Sequence, residues 1–287
     1  MTDLINRHSW AARWIQSGQL SVQSLKIAPE TMADNGVIFM PREYSGRDAV
    51  IYLHGLGNDL FFPNLGLIET LMGSGFPVLA MDMAGHGQNG STLFTLDHLM
   101  AQIPAARQSL LTELPRTQRI HLVGFSFGAA LSAHYVATHP DEFQSLTMIA
   151  MPRSLSLRIG YLSEFLSPVY RDWRAAVNKY TLSGIQPALG KFRRNIYPLR
   201  CPDNTPYLTL ANSYLTRMNL PENLRGLKTP SLGIFGQYDF ISPASAVADL
   251  LSESITRTRT LPAANHFLTL LSPQTWNLTV EFLRTLD

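Results

Sequence analysis

The sequence predicts an α/β protein: a mostly parallel sheet with helices on both faces and a helical insertion late in the chain. Three observations carry this reading. Short runs that are apolar nearly throughout recur from about residue 49 onward, as strands buried on both faces require. Segments of helical patterning separate them. One interval, between residues 151 and 231, is far too long for a simple crossover and must hold structure of its own.

Taken in order, "LSVQSLKIAP" (20–29) and "NGVIFMP" (35–41) read as a leading antiparallel pair. "AVIYLHG" (49–55), "PVLAMD" (77–82), "IHLVG" (120–124), "SLTMIAM" (145–151) and "SLGIFG" (231–236) are the buried strands, and "TRTRTL" (256–261) is a further one. Helical segments are expected around 62–73, 93–113 and 127–139. Trp276, Val280, Leu283 and Leu286 recur at helical spacing, a face that can pack back on the sheet. Within the long interval, residues 162–192 read as two or three short helices interrupted at Pro168 and Pro187. The expected organisation is an N-terminal segment (1–34), a core of 35–152 and 227–287, and a helical insertion at 153–226. Trp10, Trp14 and Ile15 in the N-terminal segment suggest a helix packed on the body.

With 45% hydrophobic and 15% charged residues, the 287-residue chain has ample material for a core and no disorder signature. A net charge of +2 predicts no nucleic-acid partner. That charge is unevenly spread. Residues 151–200 hold nine basic side chains (Arg153, Arg158, Arg171, Arg174, Lys179, Lys191, Arg193, Arg194, Arg200) against Glu164 and Asp172. The segment is therefore +7 and the remainder −5. A single cysteine, Cys201, excludes an internal disulfide and a cysteine-rich zinc site, and reads as a small, partly buried side chain. Asp3, Arg7 and Arg13 interrupt the first residues, which do not form a secretory signal. No run approaches the roughly 18 apolar residues of a membrane helix. A soluble cytoplasmic protein is expected.

Chemistry is suggested first by "GFSFG" (124–128). A strand running straight into a helix must turn within a residue or two. Ser126 at that apex is forced into a strained conformation that lifts its hydroxyl above the sheet edge, with Gly124 and Gly128 removing the Cβ atoms that would collide. A serine hydroxyl needs a base, and the base an orienting acid. Asp239, just past "SLGIFG", and His266, in a loop after "TRTRTL", supply them in the order Ser, Asp, His. Loops at the carboxyl ends of parallel strands converge on one sheet edge, so the three can meet there. The loop "HGLG" (54–57) reaches the same edge. The backbone N–H groups of Leu56 and Phe127 are the natural donors to a developing oxyanion. His54 braces this loop together with Gly55 and Gly57. Asp82 and His86 hold the neighbouring "DMAGHG" loop, Asp82 being also an alternative acid for His266.

On "HGLG", "DMAGHG", "GFSFG", "GQYDFISP" and "ANHF", in that order, the chain resembles the α/β-hydrolase superfamily over roughly residues 35 to 287. It is most similar to the group carrying a helical cap between the sixth and seventh core strands. The resemblance implies an eight-stranded, mostly parallel sheet, an acyl-enzyme intermediate and no cofactor or metal. Relatives with aspartate at the elbow, the haloalkane dehalogenases and epoxide hydrolases, are set aside by Ser126.

The expected function is hydrolysis of a carboxylic ester or thioester by a serine nucleophile, with a small acyl substrate and no nucleic acid or membrane span. The basic insertion could draw an anionic substrate or carrier. Carbon–carbon bond hydrolysis and acyl transfer use the same three residues, and a non-catalytic binding protein on the same fold is the alternative from another class.

Overall fold

The computed structural model describes residues 20–26, 35–41, 44, 46–60, 65–89, 92–155, 201–252 and 256–286. The expected N-terminal helix, the helices of 162–192 and eight of the nine basic residues of 151–200 lie outside these residues.

The strands are β1 (Leu20–Lys26), β2 (Asn35–Pro41), β3 (Asp48–Leu53), β4 (Val78–Met81), β5 (Arg119–Phe125), β6 (Ser145–Ile149), β7 (Ser231–Gly236) and β8 (Thr256–Leu261). They form one eight-stranded sheet in the order β1-β2-β4-β3-β5-β6-β7-β8. β2 pairs antiparallel with both β1 and β4, and every other neighbour pair is parallel. The strand order turns about β3, with β4 on one side and β5 on the other, so the carboxyl ends of β3 and β5 flank the switch-point crevice in which α/β sheets bind their ligands.

Central strands β3 to β7 are buried on both faces, which is why they read as unbroken apolar runs. β8 does not, because it is an edge strand: Arg257, Thr258, Arg259 and Thr260 are all exposed. Strands β3 and β6 each end two residues before the runs that mark them. β3 stops at Leu53, where His54 and Gly55 turn out of the ladder. β6 stops at Ile149, because Ala150 takes a positive φ of 49°.

One face of the sheet carries helices α2 (Leu96–Glu113) and α3 (Phe127–Thr138), with α4 (Tyr207–Arg217) and α5 (Leu220–Arg225) packed beyond them. On the other lie α1 (Leu65–Gly73), α7 (His266–Leu271) and α8 (Pro273–Arg284); α6 (Ser245–Ser252) precedes β8. α2 begins at Leu96 and not at residue 93, because the Thr95 side chain accepts a hydrogen bond from the His98 N–H and caps it. α8 ends at Arg284, so Leu286 packs on the second core cluster from beyond the helix. At the amino edge of the sheet, Arg119 grips Asp48 through Nε (2.5 Å) and Nη2 (2.6 Å) and donates to the Leu286 carbonyl (3.1 Å), tying the chain's end to β3 and β5.

Candidate active site

Ser126 joins β5 to α3 without an intervening loop. Its φ of 53° and ψ of −122° lie where a side chain is strained, an arrangement costing about 1–3 kcal/mol that the surrounding structure must sustain. Two features sustain it. The Ser126 N–H donates to the Ile149 carbonyl (2.8 Å), extending the β5–β6 pairing to the bend. The Ser126 carbonyl accepts from the N–H groups of Ala129 (2.9 Å) and Ala130 (3.2 Å), starting α3 at once.

The flanking glycines permit this. A Cβ on Gly124 would stand 2.5 Å from the Ala129 Cα. One on Gly128 would collide with the carbonyl oxygens of His54 and Leu53, the latter at 2.6 Å. Gly128 thus lets the first turn of α3 lie directly against the loop that leaves β3. Gly128, Ala129, Ala130, Ser132 and Ala133 are all buried there.

Asp239 sits in the turn after β7. The Tyr238 N–H donates to the Ala264 carbonyl (2.9 Å), which fixes this turn to the segment carrying His266. One carboxylate oxygen, Oδ1, accepts from the N–H groups of Ile241 (2.9 Å) and Ser242 (2.7 Å). The other, Oδ2, accepts from Nδ1 of His266 at 2.9 Å. A carboxylate so bonded requires the proton on Nδ1, leaving Nε2 with its lone pair. That nitrogen lies 2.8 Å from Ser126 Oγ, whose hydroxyl donates to it. All three side chains are buried.

The sequence pattern places His266 in a loop, whereas it is the first residue of α7. Asn265 makes the difference: its side chain accepts from the Leu268 N–H (2.9 Å), an N-cap that starts a helix of only six residues. The imidazole rests on Phe125, ring centroids 5.1 Å apart, and meets Phe267 edge-on at 5.6 Å. Neither contact is expected from the sequence. The Asn265 cap is legible in "NHFLTLL"; the ring packing is not.

His54 has both nitrogens engaged. Nδ1–H donates to the Gly55 carbonyl (2.8 Å), and Nε2 accepts from the Met83 N–H (3.0 Å). It thereby ties the loop after β3 to the loop after β4. Burial pushes its pKa down to about 4, so it is a neutral brace. The Asn58 N–H closes a turn onto the Gly55 carbonyl (3.2 Å), with Gly57 at φ 75°, and Leu56 lies within it. The N–H groups of Leu56 and Phe127 bond to no other described residue.

Asp82 anchors the same region, with Oδ1 accepting from the Leu60 N–H (2.7 Å) and its carbonyl from Asn89 Nδ2 (2.6 Å). The carboxylate bonded to the imidazole is Asp239's, while Asp82 serves the loops. His86 donates from Nδ1 to the Ala84 carbonyl (2.9 Å) and packs edge-on against His54 at 4.9 Å. Burial, with His54 beside it, pushes its pKa down to about 3. On the other side, Phe94 bridges Phe127 and Tyr214 (centroids 5.8 and 5.4 Å). The Tyr214 hydroxyl donates to the Phe94 carbonyl (2.9 Å), which seats α4 over the start of α3. Among the described residues, no three His, Cys, Asp or Glu side chains cluster as metal ligands would. Cys201 is half-buried against the core, and burial raises its thiol pKa.

The model of the alpha/beta hydrolase fold family matches residues 48–273. The chain belongs to that family. Among curated proteins of this hydrolase fold, it is similar to the monoacylglycerol lipase ABHD6 of Bos taurus, 25% identical over 264 residues. That alignment covers 83% of this chain and 75% of the relative. It is also similar to a pimeloyl-[acyl-carrier protein] methyl ester esterase of Xanthomonas campestris pv. campestris (strain B100). There the identity is 28% over 217 residues, or 69% and 79% of the two chains. The structure of a monoacylglycerol lipase from Paleococcus ferrophilus shares the fold with a TM-score of 0.62 and 22% identity, over 89% of this chain and all of that one. No helix among the described residues is long and apolar enough to cross a membrane.

Proposed function

We propose that the protein is a serine hydrolase of carboxylic esters acting through an acyl-enzyme. The observation that carries this is the run of two hydrogen bonds from Asp239 Oδ2 through His266 to Ser126 Oγ (2.9 and 2.8 Å), ending on a serine held at positive φ.

The polarity of that run sets the chemistry. Nε2 of His266 takes the Ser126 proton as Oγ bonds to the ester carbonyl carbon, and the carbonyl electron pair moves onto its oxygen. The N–H groups of Leu56 and Phe127, without a partner among the described residues, receive that oxyanion. They are backbone donors on a loop and a helix start pressed together at Gly128, so they need no reorganisation. Collapse breaks the bond to the leaving alcohol, which takes the proton from Nε2. Water then repeats the sequence and frees the acid. Asp239 keeps Nδ1 protonated and stabilises the imidazolium formed at each step.

Ester substrates are favoured over thioesters and carbon–carbon bonds because the named relatives are a monoacylglycerol lipase and a methyl ester esterase. In this reading residues 153–226 form a cap over the crevice, and their excess of basic side chains favours an acyl substrate attached to an anionic group. A fluorophosphonate probe tests the nucleophile, and p-nitrophenyl esters of graded chain length beside thioesters and amides test the substrate class. Thioester turnover far above ester turnover would replace the ester reading.

A further inference from the structure

The turn that delivers Asp239 inward throws its two neighbours outward. Asp239 is 3% exposed, whereas Tyr238 and Phe240 are 54% and 62% exposed. Single surface aromatics need no explanation. Here two flank one buried acid, on a turn rigidified by the Ile241 and Ser242 N–H bonds to that acid. The other exposed large hydrophobics among the described residues are Leu93, in the loop after β4, and Tyr207, which opens the helix seated on Phe94. None of the four lies at the amino edge of the sheet, and Leu93 and Tyr207 are less exposed, each at 37%.

Two exposed arginines, Arg153 and Arg259, belong to the segments joined to this turn. The Ser242 hydroxyl donates to the Met151 carbonyl, which draws the start of the β6–β7 connection, with exposed Arg153, to the aromatic turn. Arg259 is exposed on β8, in register with Ile234 of β7, whereas Arg257 lies nearer the amino end with its guanidinium over the Phe282 ring. Asp239 offers nothing to offset them, since its carboxylate is turned inward and bonded.

We propose that this edge docks onto an anionic lipid surface, with Tyr238 and Phe240 entering the headgroup–acyl boundary and the arginines resting on the headgroups. Aromatic side chains at a rim of basic residues match such a surface, in which apolar chains lie beneath a layer of negative charge. Docking would bring the crevice holding Ser126 against a phase that contains acyl esters, and in that respect the inference deepens the hydrolase reading. Binding itself needs no turnover.

The test is co-sedimentation of the full chain with phosphatidylglycerol–phosphatidylcholine vesicles and with pure phosphatidylcholine vesicles. The parent and Ser126→Ala should both bind the anionic vesicles and release them at high salt. Replacing both aromatics (Tyr238→Ser with Phe240→Ser) should weaken binding by about tenfold, equivalent to about 1.4 kcal/mol. Should that variant fail to fold, Phe240→Trp decides, since its added emission must shift to the blue on anionic vesicles. The proposal is overturned if the parent ignores anionic vesicles, binds neutral ones equally, or binds undiminished without the aromatics. It is equally overturned if the added emission of the Phe240→Trp variant does not move, or if an acidic acyl-carrier protein is bound where vesicles are not. Ester turnover absent from a protein that still binds vesicles would instead defeat the hydrolase reading alone.

Discussion

Replacing Asp239 by asparagine should remove activity by reversing one proton, and the hydrogen bonds say which one. Oδ1 accepts two backbone N–H groups, from Ile241 and Ser242, while Oδ2 accepts one proton from His266. An amide must give one side its oxygen and the other its NH2. Turning the NH2 toward the two backbone donors would leave three buried donors facing one another, at about 1–3 kcal/mol for each group left unsatisfied. The amide oxygen therefore stays with Ile241 and Ser242, and the NH2 faces Nδ1 of His266. That stabilises the other tautomer, with the proton on Nε2 pointing at Ser126 Oγ and no lone pair to take the serine's proton. The expected loss is about 10⁴-fold in kcat, with KM for a p-nitrophenyl ester little changed and only a small fall in unfolding free energy. Steady-state kinetics beside urea unfolding measure both. Asp82→Asn is the matched control, because an amide oxygen can still accept from the Leu60 N–H. Near-normal kcat in Asp239→Asn, or an equal loss in Asp82→Asn, would refute the reasoning.

Gly128→Ala should both destabilise and inactivate, because the new methyl meets backbone carbonyls of Leu53 and His54 that cannot rotate away. Overpacking of this kind costs about 1–3 kcal/mol, and separating α3 from the loop should lower kcat by about 10²-fold; unchanged Tm and kcat would contradict the close approach. Arg119→Ala removes a bidentate pairing at the amino edge, far from Ser126, so Tm should fall while kcat holds. Stability should also depend on pH through the buried histidine pair. His54 titrates near 6.5 when unfolded and about 4 when folded, so its contribution is complete above pH 6.5. It is lost as pH falls toward 4, by up to roughly 1.4 kcal/mol per pH unit, and His86 adds in the same direction. Asp48, held at about 2 against its ordinary 3.8 although burial opposes it, by hydrogen bonds from His121 and Arg119, acts only below that window. Urea midpoints that stay level from pH 7 to 5 would contradict burial of the histidines.

Strand positions were legible because β3 to β7 are buried on both faces, which leaves only apolar residues admissible there. β8 was legible for a different reason, its alternation of threonine and arginine on an exposed edge. The bend at Ser126 could be read because strand, glycines and small-residue helix are adjacent in sequence. What needed three dimensions was the contact of Gly128 with the loop after β3, the Phe125 ring beneath His266, and the Tyr214 hydroxyl on the Phe94 carbonyl. Each joins residues far apart in the chain, and no local pattern encodes them. Helix α7 was missed because six residues give too few turns for a periodic signal; only the Asn265 cap marks it. The order Ser, Asp, His already favours Asp239 over Asp82, and the 2.9 Å contact from His266 Nδ1 to Asp239 Oδ2 is what only three dimensions add.

Intact-mass analysis after fluorophosphonate treatment, followed by peptide mapping, tests the central claim most directly. A single adduct on Ser126, formed rapidly at neutral pH, slowed in Asp239→Asn and absent from Ser126→Ala, is the predicted result. No adduct on the folded protein, or an adduct that persists when Ser126 is replaced, would contradict the account.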